Sequence, residues 1–319
     1  MEHTARPDSV TNMGDLRRNR SITLLAGDGH PRLAEAIARL AGVGLTPVSV
    51  TAFADGEARV KIEANVQDAD VYIVQPTSTP TNERLMTLAL IAEAARGAGA
   101  QRVTAVLPYF GYARQDVRKE AGEPRSAQLA ARVLRAAGVD RAVVLELHAP
   151  ALESAFDMPV VHLLADELML PVVREWGIAD LVVVSPDAGG LKRAQRYASA
   201  LGAPLAVVTK ARPSPDAAVA YQVLGEVRDR ACLIVDDMAS TGGTIASAAD
   251  SLLRAGAREV HALFVHAVMA PGALQRIRAA RLGRIVTTDG VPSVLDARVQ
   301  VVSVAPILAR AVERLAAGA

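Results

Sequence analysis

Ala231-Cys232-Leu233-Ile234-Val235-Asp236-Asp237-Met238-Ala239-Ser240-Thr241-Gly242-Gly243-Thr244 is the stretch whose reading decides the fold. Its opening apolar run predicts a strand covered on both faces, and the small, polar run after it predicts a turn into a helix. Two adjacent carboxylates arrive at the end of that strand. Consecutive amides in such a turn form a nest for an anion, and the dipole of the following helix adds positive potential. The hydroxyls of Ser240, Thr241 and Thr244 can donate to the same anion, so the segment reads as a phosphate cradle beside an acid pair. Such a pair suits a vicinal diol, or Mg²⁺ through oxygen ligands. The chain has no Gly-x-x-x-x-Gly-Lys-Ser/Thr run, and no Gly-x-Gly-x-x-Gly follows a strand. A Walker-type loop is therefore excluded, and a dinucleotide-binding dehydrogenase is disfavoured.

Working outward, short β-branched runs alternate with Ala/Leu/Arg-rich stretches of helical spacing from about residue 21 to the end. Strands are predicted at 22–26, 46–53, 71–75, 103–107, 142–147, 181–185, 204–209, 231–236, 260–268, 284–288 and 299–304. Helices are predicted at 32–40, 83–96, 126–136, 165–176, 191–200, 244–255, 272–279 and 307–315. Leu181-Val182-Val183-Val184, apolar at every position, marks a strand of a fully covered parallel sheet. Strand–helix alternation of this kind implies right-handed crossovers and an α/β, doubly wound architecture. Ligands of such sheets bind beyond the carboxyl ends of the strands. Four strand ends are rich in polar groups, at 108–116, 148–150, 186–190 and 236–244, and a boundary near 150 divides them two and two.

The chain has 319 residues, which at roughly 150 per domain suggests two domains. Thirty-five Lys and Arg against 34 Asp and Glu give a net charge of +1, so no bulk field recruits nucleic acid or an anionic membrane. With 51% hydrophobic and 22% charged residues the chain has the apolar mass for sizeable cores. Aromatics at 3% argue against a base-stacking surface for single strands. Cys232, the single cysteine, can form neither an internal disulfide nor a Cys-rich zinc site, and it reads as a small buried hydrophobe in a reducing cytoplasm. Residues 1–20 read as a polar tail without a signal-like stretch, and no later window approaches 18 uninterrupted apolar residues.

Further segments join the phosphate cradle. They are Phe53-Ala54-Asp55-Gly56-Glu57-Ala58-Arg59-Val60, Pro108-Tyr109-Phe110-Gly111-Tyr112-Ala113-Arg114-Gln115-Asp116, Leu147-His148-Ala149 and Ser185-Pro186-Asp187-Ala188-Gly189-Gly190. The cradle by itself resembles the ribose-5-phosphate loop of the type I phosphoribosyltransferase fold. With these segments, the chain resembles the ribose-phosphate diphosphokinases from about residue 22 to 315. The resemblance implies two doubly wound parallel-sheet domains of the type I phosphoribosyltransferase-like fold. Residues 21–150 would form the ATP-side domain and 151–304 the domain carrying the sugar-phosphate loop, with a C-terminal helix at 305–319 packing back on the first.

It also implies the reaction: the diphosphoryl group of MgATP passes to the anomeric hydroxyl of ribose 5-phosphate, releasing AMP. On that basis Phe53, Asp55, Glu57, Arg114, Gln115, Asp116 and His148 would bind ATP. Asp236, Asp237, Ser240, Thr241, Gly242, Gly243 and Thr244 would hold ribose 5-phosphate. His148, Asp187, Asp236 and Asp237 would surround Mg²⁺. The family's mobile catalytic loop matches Lys210-Ala211-Arg212-Pro213-Ser214-Pro215, so Lys210 and Arg212 would clamp the phosphates. Phe53, Asp55 and Glu57 would reach across from a second copy, which makes the active unit a homo-oligomer.

Two other readings compete: a phosphoribosyltransferase that consumes the diphosphate, and a non-catalytic regulatory homologue. The first needs a hood region that selects a base, and none is visible. The second tends to lose loop residues that survive in this chain. Two positions depart from many bacterial and animal members, Ser240 in place of Asp and Ala188 in place of His. The Ser-Thr-Gly-Gly-Thr form, with Lys-x-Arg before Ser-Pro, looks more like archaeal-type (class III) members. The remaining histidines, His3, His30, His162, His261 and His266, fall outside every motif.

Overall fold

Strands apolar at every position must be covered on both faces, and the structure shows what covers them. The computed structural model describes residues 22–211 and 220–318. The first half runs β1 (Ile22–Ala26), α1 (Pro31–Leu40), β2 (Leu45–Thr46), β3 (Val48–Ala52), β4 (Ala58–Ile62), β5 (Asp70–Val74), α2 (Thr81–Gly97), β6 (Arg102–Leu107), α3 (Ser126–Ala136) and β7 (Arg141–Leu145). A short 3₁₀ turn at Pro150–Ala155 leads to β8 (Val160–Leu163). Next come α4 (Asp166–Glu175), β9 (Leu181–Ser185), α5 (Leu191–Leu201), β10 (Leu205–Ala211), β11 (Ala220–Leu224), β12 (Ala231–Met238) and α6 (Gly243–Arg254). The chain closes with β13 (Glu259–His266), α7 (Ala273–Ala279), β14 (Ile285–Thr288), β15 (Val299–Val302) and α8 (Ala305–Ala316).

Two sheets result. The first has the order β2-β1-β5-β6-β7-β8 and is parallel throughout. The second has the order β11-β10-β9-β12-β13-β14-β15, parallel except where β11 turns back on β10. Each order reverses direction once, between β1 and β5 in the first sheet and between β9 and β12 in the second. A crevice opens beyond the strands at such a reversal, so the ends of β9 and β12 mark the binding crevice of the second sheet.

Three expectations change. The strand expected at 46–53 is two, because Pro47 has no N–H for a ladder; β2 joins the main sheet, while β3 pairs only with β4 in a separate hairpin. The boundary expected at 150 does not divide the sheets, since the apolar run Val160-Val161-His162-Leu163 pairs with β7 and closes the first sheet. Lys210, expected in a loop, lies within β10: β11 pairs antiparallel with that strand and extends it to Ala211, setting Lys210 opposite Tyr221.

One apolar layer joins the halves. Leu24, Tyr72, Val106 and Val143 of the first sheet share a buried cluster with Val183, Leu233, Val235, Leu263 and Val286 of the second. Helix α8 crosses back to pack on α1 within that layer. The outer face of each sheet has its own core. The strand ends of the two sheets are therefore held by a common core rather than by a hinge. Cys232 is fully buried, and burial pushes its thiol up to about 12, the behaviour of a packing residue.

Candidate active site

Strand β12 delivers Asp236 and Asp237 to the crevice, and the turn after it carries the cradle into α6. Gly242 caps α6 with φ +75°, and a Cβ there would lie 3.0 Å from the Ala273 carbonyl oxygen, so the position demands glycine. The turn is braced from behind, where the Arg276 guanidinium donates to the Thr241 carbonyl at 2.9 Å and the Ala270 amide donates to the Ser240 carbonyl at 2.9 Å. The first amides of α6 have no partner inside the helix, and the first of them, Gly243 N–H, donates to the Thr241 hydroxyl at 3.4 Å.

The end of β9 supplies Asp187. Its Oδ1 accepts from the Gly190 amide at 2.9 Å, which fixes the turn into α5 and leaves the carboxylate exposed. From the first domain comes His148, just past β7. Its Nδ1 lies 2.8 Å from Asp237 Oδ2, so the imidazole of one domain is tied to the acid of the other. The bond to Asp237 raises the His148 pKa against the effect of burial. Burial by itself would raise Asp237, but the His148 bond and the Arg193 charge outweigh it and hold this carboxyl below the usual carboxylate range. Asp236 is pushed well above that range, first by burial and then by the neighbouring Asp237 charge. The pair is thus divided into one firm anion and one acid that retains its proton readily.

Two adjoining cavities meet at these residues. One, about 140 Å³, is lined by the cradle from Ser240 to Gly242 and Thr244 together with Arg114, His148, Asp187, Asp236 and Asp237. The other, about 260 Å³, shares His148, Asp187, Asp236 and Asp237 and adds Asp116, Gly189, Gly190 and Arg193. Two larger cavities, about 650 and 800 Å³, lie elsewhere and contain none of the residues the sequence singled out. The two cavities share the imidazole–carboxylate pair and Asp187 in their walls, so ligands in them would meet at those side chains.

Gln115 stands beside the site rather than in it, its Oε1 accepting from the Ser126 hydroxyl at 2.6 Å where α3 begins. Phe53, Asp55 and Glu57 lie at the tip of the β3–β4 hairpin, exposed, and line neither cavity of this chain. Phe53 is 52% exposed, with the Arg59 guanidinium 5.9 Å from its ring centroid. Arg212 lies outside the described residues, as does the side chain of Lys210. Among the described residues no group of three or more His, Cys, Asp or Glu is disposed to hold a metal ion. Asp237 in particular has its oxygens directed to His148 and Arg193.

The sequence reading missed Glu146, Arg193, His162 and His266. Glu146 is 3% exposed and Arg193 7%, and they are joined at 2.9 Å behind the acid pair. Their only signal was a charged residue inside an apolar strand end and another in the first turn of a helix. His162 receives the Leu147 amide at 3.0 Å, and the His266 ring bonds the Glu146 carbonyl at 3.0 Å, so both brace the turn that carries His148.

Two sheets of this order with a phosphate cradle after the central strand of the second define the class: a duplicated α/β protein of the phosphoribosyltransferase type. A family model of the phosphoribosyl transferase domain matches residues 156–294, and a model of the N-terminal domain of ribose phosphate pyrophosphokinase matches 22–138. The chain belongs to the ribose-phosphate pyrophosphokinase family and is an enzyme of that family. A ribose-phosphate pyrophosphokinase of Gloeobacter violaceus is 41% identical over 311 residues, covering 96% of this chain and 92% of the relative. That of Bacillus caldolyticus is 36% identical over 297 residues, covering 92% and 94%. The solved phosphoribosylpyrophosphate synthetase of Mycobacterium smegmatis superposes with a TM-score of 0.89 at 34% identity, covering 94% of this chain and all of that one. These relatives are bacterial, so they lend nothing to the archaeal-type likeness.

Proposed function

We propose that this enzyme transfers the diphosphoryl group of MgATP to the anomeric hydroxyl of ribose 5-phosphate, forming 5-phosphoribosyl 1-diphosphate and AMP. The observation that carries the reading is the shared wall: the phosphate cradle and acid pair line one cavity, and Asp116 with the start of α5 lines the next. Ribose 5-phosphate occupies the first, its phosphate on Ser240, Thr241, Gly242, Gly243 and Thr244 and its diol on Asp236, since Asp237, grouped with it in the sequence reading, has its oxygens turned to His148 and Arg193. ATP lies along the second with its phosphates reaching the first, where Arg114 offers them a forked donor set. Adenine is held by Phe53, Asp55 and Glu57 from a second copy of the chain, which accounts for an aromatic ring left exposed on a hairpin tip.

Asp187 and Nε2 of His148 would meet the nucleotide's Mg²⁺, a reading supported by their sharing both cavity walls while His148 Nδ1 is bonded to Asp237. That sparse set fits Mg²⁺, which keeps its waters and takes most of its protein-site ligands from substrate phosphates. When bound, the cation neutralises the charge on the transferring phosphates. The chain's own residues align the anomeric oxygen with the β-phosphorus, exclude water and hold the sugar diol. Lys210, near the end of β10, and Arg212 beyond it act as cations on the transferring group. The archaeal-type reading rests on Ser240 and the Ser-Pro after Arg212 alone. A cytoplasmic setting is supported by one buried thiol, and among the described residues no helix is long and apolar enough to cross a membrane.

The test is direct. Purified protein given MgATP and ribose 5-phosphate yields AMP and 5-phosphoribosyl 1-diphosphate in equal amounts. Release of ADP, or no AMP without an added base, defeats the reading.

A further inference from the structure

Behind the wall between the two cavities lies a buried ionic network that the reading above does not use. Arg193, in the first turn of α5, donates from Nε to Glu146 Oε1 at 2.9 Å. Its Nη1 stands 3.5 Å from Asp237 Oδ1, and its Nη2 donates to the His148 carbonyl at 3.4 Å. All three guanidinium nitrogens are therefore directed to protein groups, which leaves Arg193 poorly placed to receive a substrate phosphate. Burial alone would lower its pKa, but Asp237 and Glu146 raise it, so it stays a cation.

Glu146 anchors the other end. It accepts from Arg196 Nη2 at 3.1 Å and from the Ala165 amide at 3.2 Å. Its φ of +41° is a conformation that a residue with a Cβ rarely adopts, and strain of this kind gathers at functional sites. The strained residue is two positions before His148. A buried ion pair is weak evidence of stabilisation, since apolar residues of equal volume often serve a fold as well or better. The site supplies a stronger reason: the network spans both domains and ends on the Asp237–His148 bond.

We propose that Arg193 is a positioning residue for diphosphoryl transfer: clamped by Glu146, it fixes the Asp237 carboxylate, and Asp237 fixes the His148 ring with Nε2 turned to the nucleotide side. The proposal rests on the function read above. It gives Arg193 and Glu146 a role exerted through Asp237 and His148, since the Arg193 nitrogens are directed to protein groups rather than into the cavity it lines.

The decisive measurement is a cycle between Arg193→Lys and His148→Ala. Lysine keeps the charge but cannot span Glu146 and Asp237 together. Arg193→Lys lowers kcat/KM for MgATP about 10–100-fold, the usual cost of disturbing a residue that orients a ligand-binding histidine. The KM for ribose 5-phosphate, set by the cradle, stays within about 2-fold. In the His148→Ala background the same lysine costs less than about 2-fold more, because the residue it acts through is gone. A second readout needs neither metal nor substrate: the proton shared by His148 Nδ1 and Asp237 gives a slowly exchanging, downfield resonance, absent in His148→Ala, which broadens or vanishes in Arg193→Lys.

An equal loss in both backgrounds, or an unaltered resonance in Arg193→Lys, overturns the proposal. If the lysine variant does not fold, Glu146→Gln, which keeps the volume and one acceptor, takes its place in the same cycle. A wild-type protein that makes no AMP would defeat the functional reading instead, and the resonance would still judge the network.

Discussion

Asp237 and His148 belong to different domains, and 2.8 Å separates the Asp237 Oδ2 from the His148 Nδ1. The bond divides the work of the acid pair. Asp237, held as an anion, orients the ring; Asp236, raised by burial and by that anion, is left to the sugar. Asp237→Asn preserves the shape but lets an amide N–H face the ring nitrogen, which selects the wrong tautomer. Steady-state assays should show kcat reduced about 100-fold or more, with the ribose 5-phosphate KM little changed. An asparagine variant with wild-type kcat would remove the His148 tautomer from the mechanism.

His266 gives a pH dependence of opposite origin. It is fully buried beside Tyr109, bonded to the Glu146 carbonyl, and burial lowers its pKa. The unfolded chain takes up a proton as pH falls through about 6.5, whereas the folded ring resists until lower pH. The unfolded state then binds more protons, so stability is full above about 6.5 and is lost below it, at up to about 1.4 kcal/mol per pH unit. Urea midpoints measured from pH 7.5 to 5.5 should fall less steeply for His266→Gln than for the wild type. Parallel slopes would assign the acid sensitivity to other groups.

The cradle depends on one backbone conformation. Gly242→Ala places a methyl 3.0 Å from a carbonyl oxygen at a φ of +75°, and neither the helix cap nor the Ala273 backbone can give way without moving the turn. Strain of about 1–2 kcal/mol should appear as a ribose 5-phosphate KM raised about 5–30-fold. Affinity for MgATP alone should not change. A variant weakened equally toward both ligands would mean that the two cavities are one.

Lys210 tests the cation expected to cover the transferring group. Lys210→Ala should lower kcat on the order of 100-fold or more while both Michaelis constants move little, the pattern expected of a cation engaged in the transition state and not in the ground state. An unchanged kcat removes Lys210 from the mechanism.

The fold was legible because covered parallel strands announce themselves: Leu181–Ser185 and the helix Ser126–Ala136 were read to the residue. The edge strands β8 and β11 were not, since they owe their form to the partner they pair with rather than to their own composition. The same division holds in the site. Asp236, Asp237, Asp187, His148 and Arg114 sit at strand ends in rare local patterns, and the structure brings them to one wall. Glu146 and Arg193 meet across 47 positions of sequence, with no local pattern to mark either. Contacts of that kind belong to the packed domains and are invisible before folding.

The exposed hairpin supports the last prediction. Phe53, Asp55 and Glu57 stand at its tip and line neither cavity of their own chain. If a partner's hairpin completes the adenine pocket, each site draws on two chains. A Phe53→Ala chain then lacks the stacking ring for its partner, and an Asp187→Ala chain lacks its own carboxylate, so each alone should be nearly inactive. In a mixed dimer one site receives both defects and the other receives none. Unfolding and refolding the two variants together at equal amounts should therefore recover about a quarter of wild-type activity, since half the dimers are mixed and half their sites are intact. Recovery should track the mixing ratio and peak at parity. No recovery, in a mixture shown by mass spectrometry of differently tagged chains to contain mixed oligomers, would place the ring and the carboxylate in one chain's site.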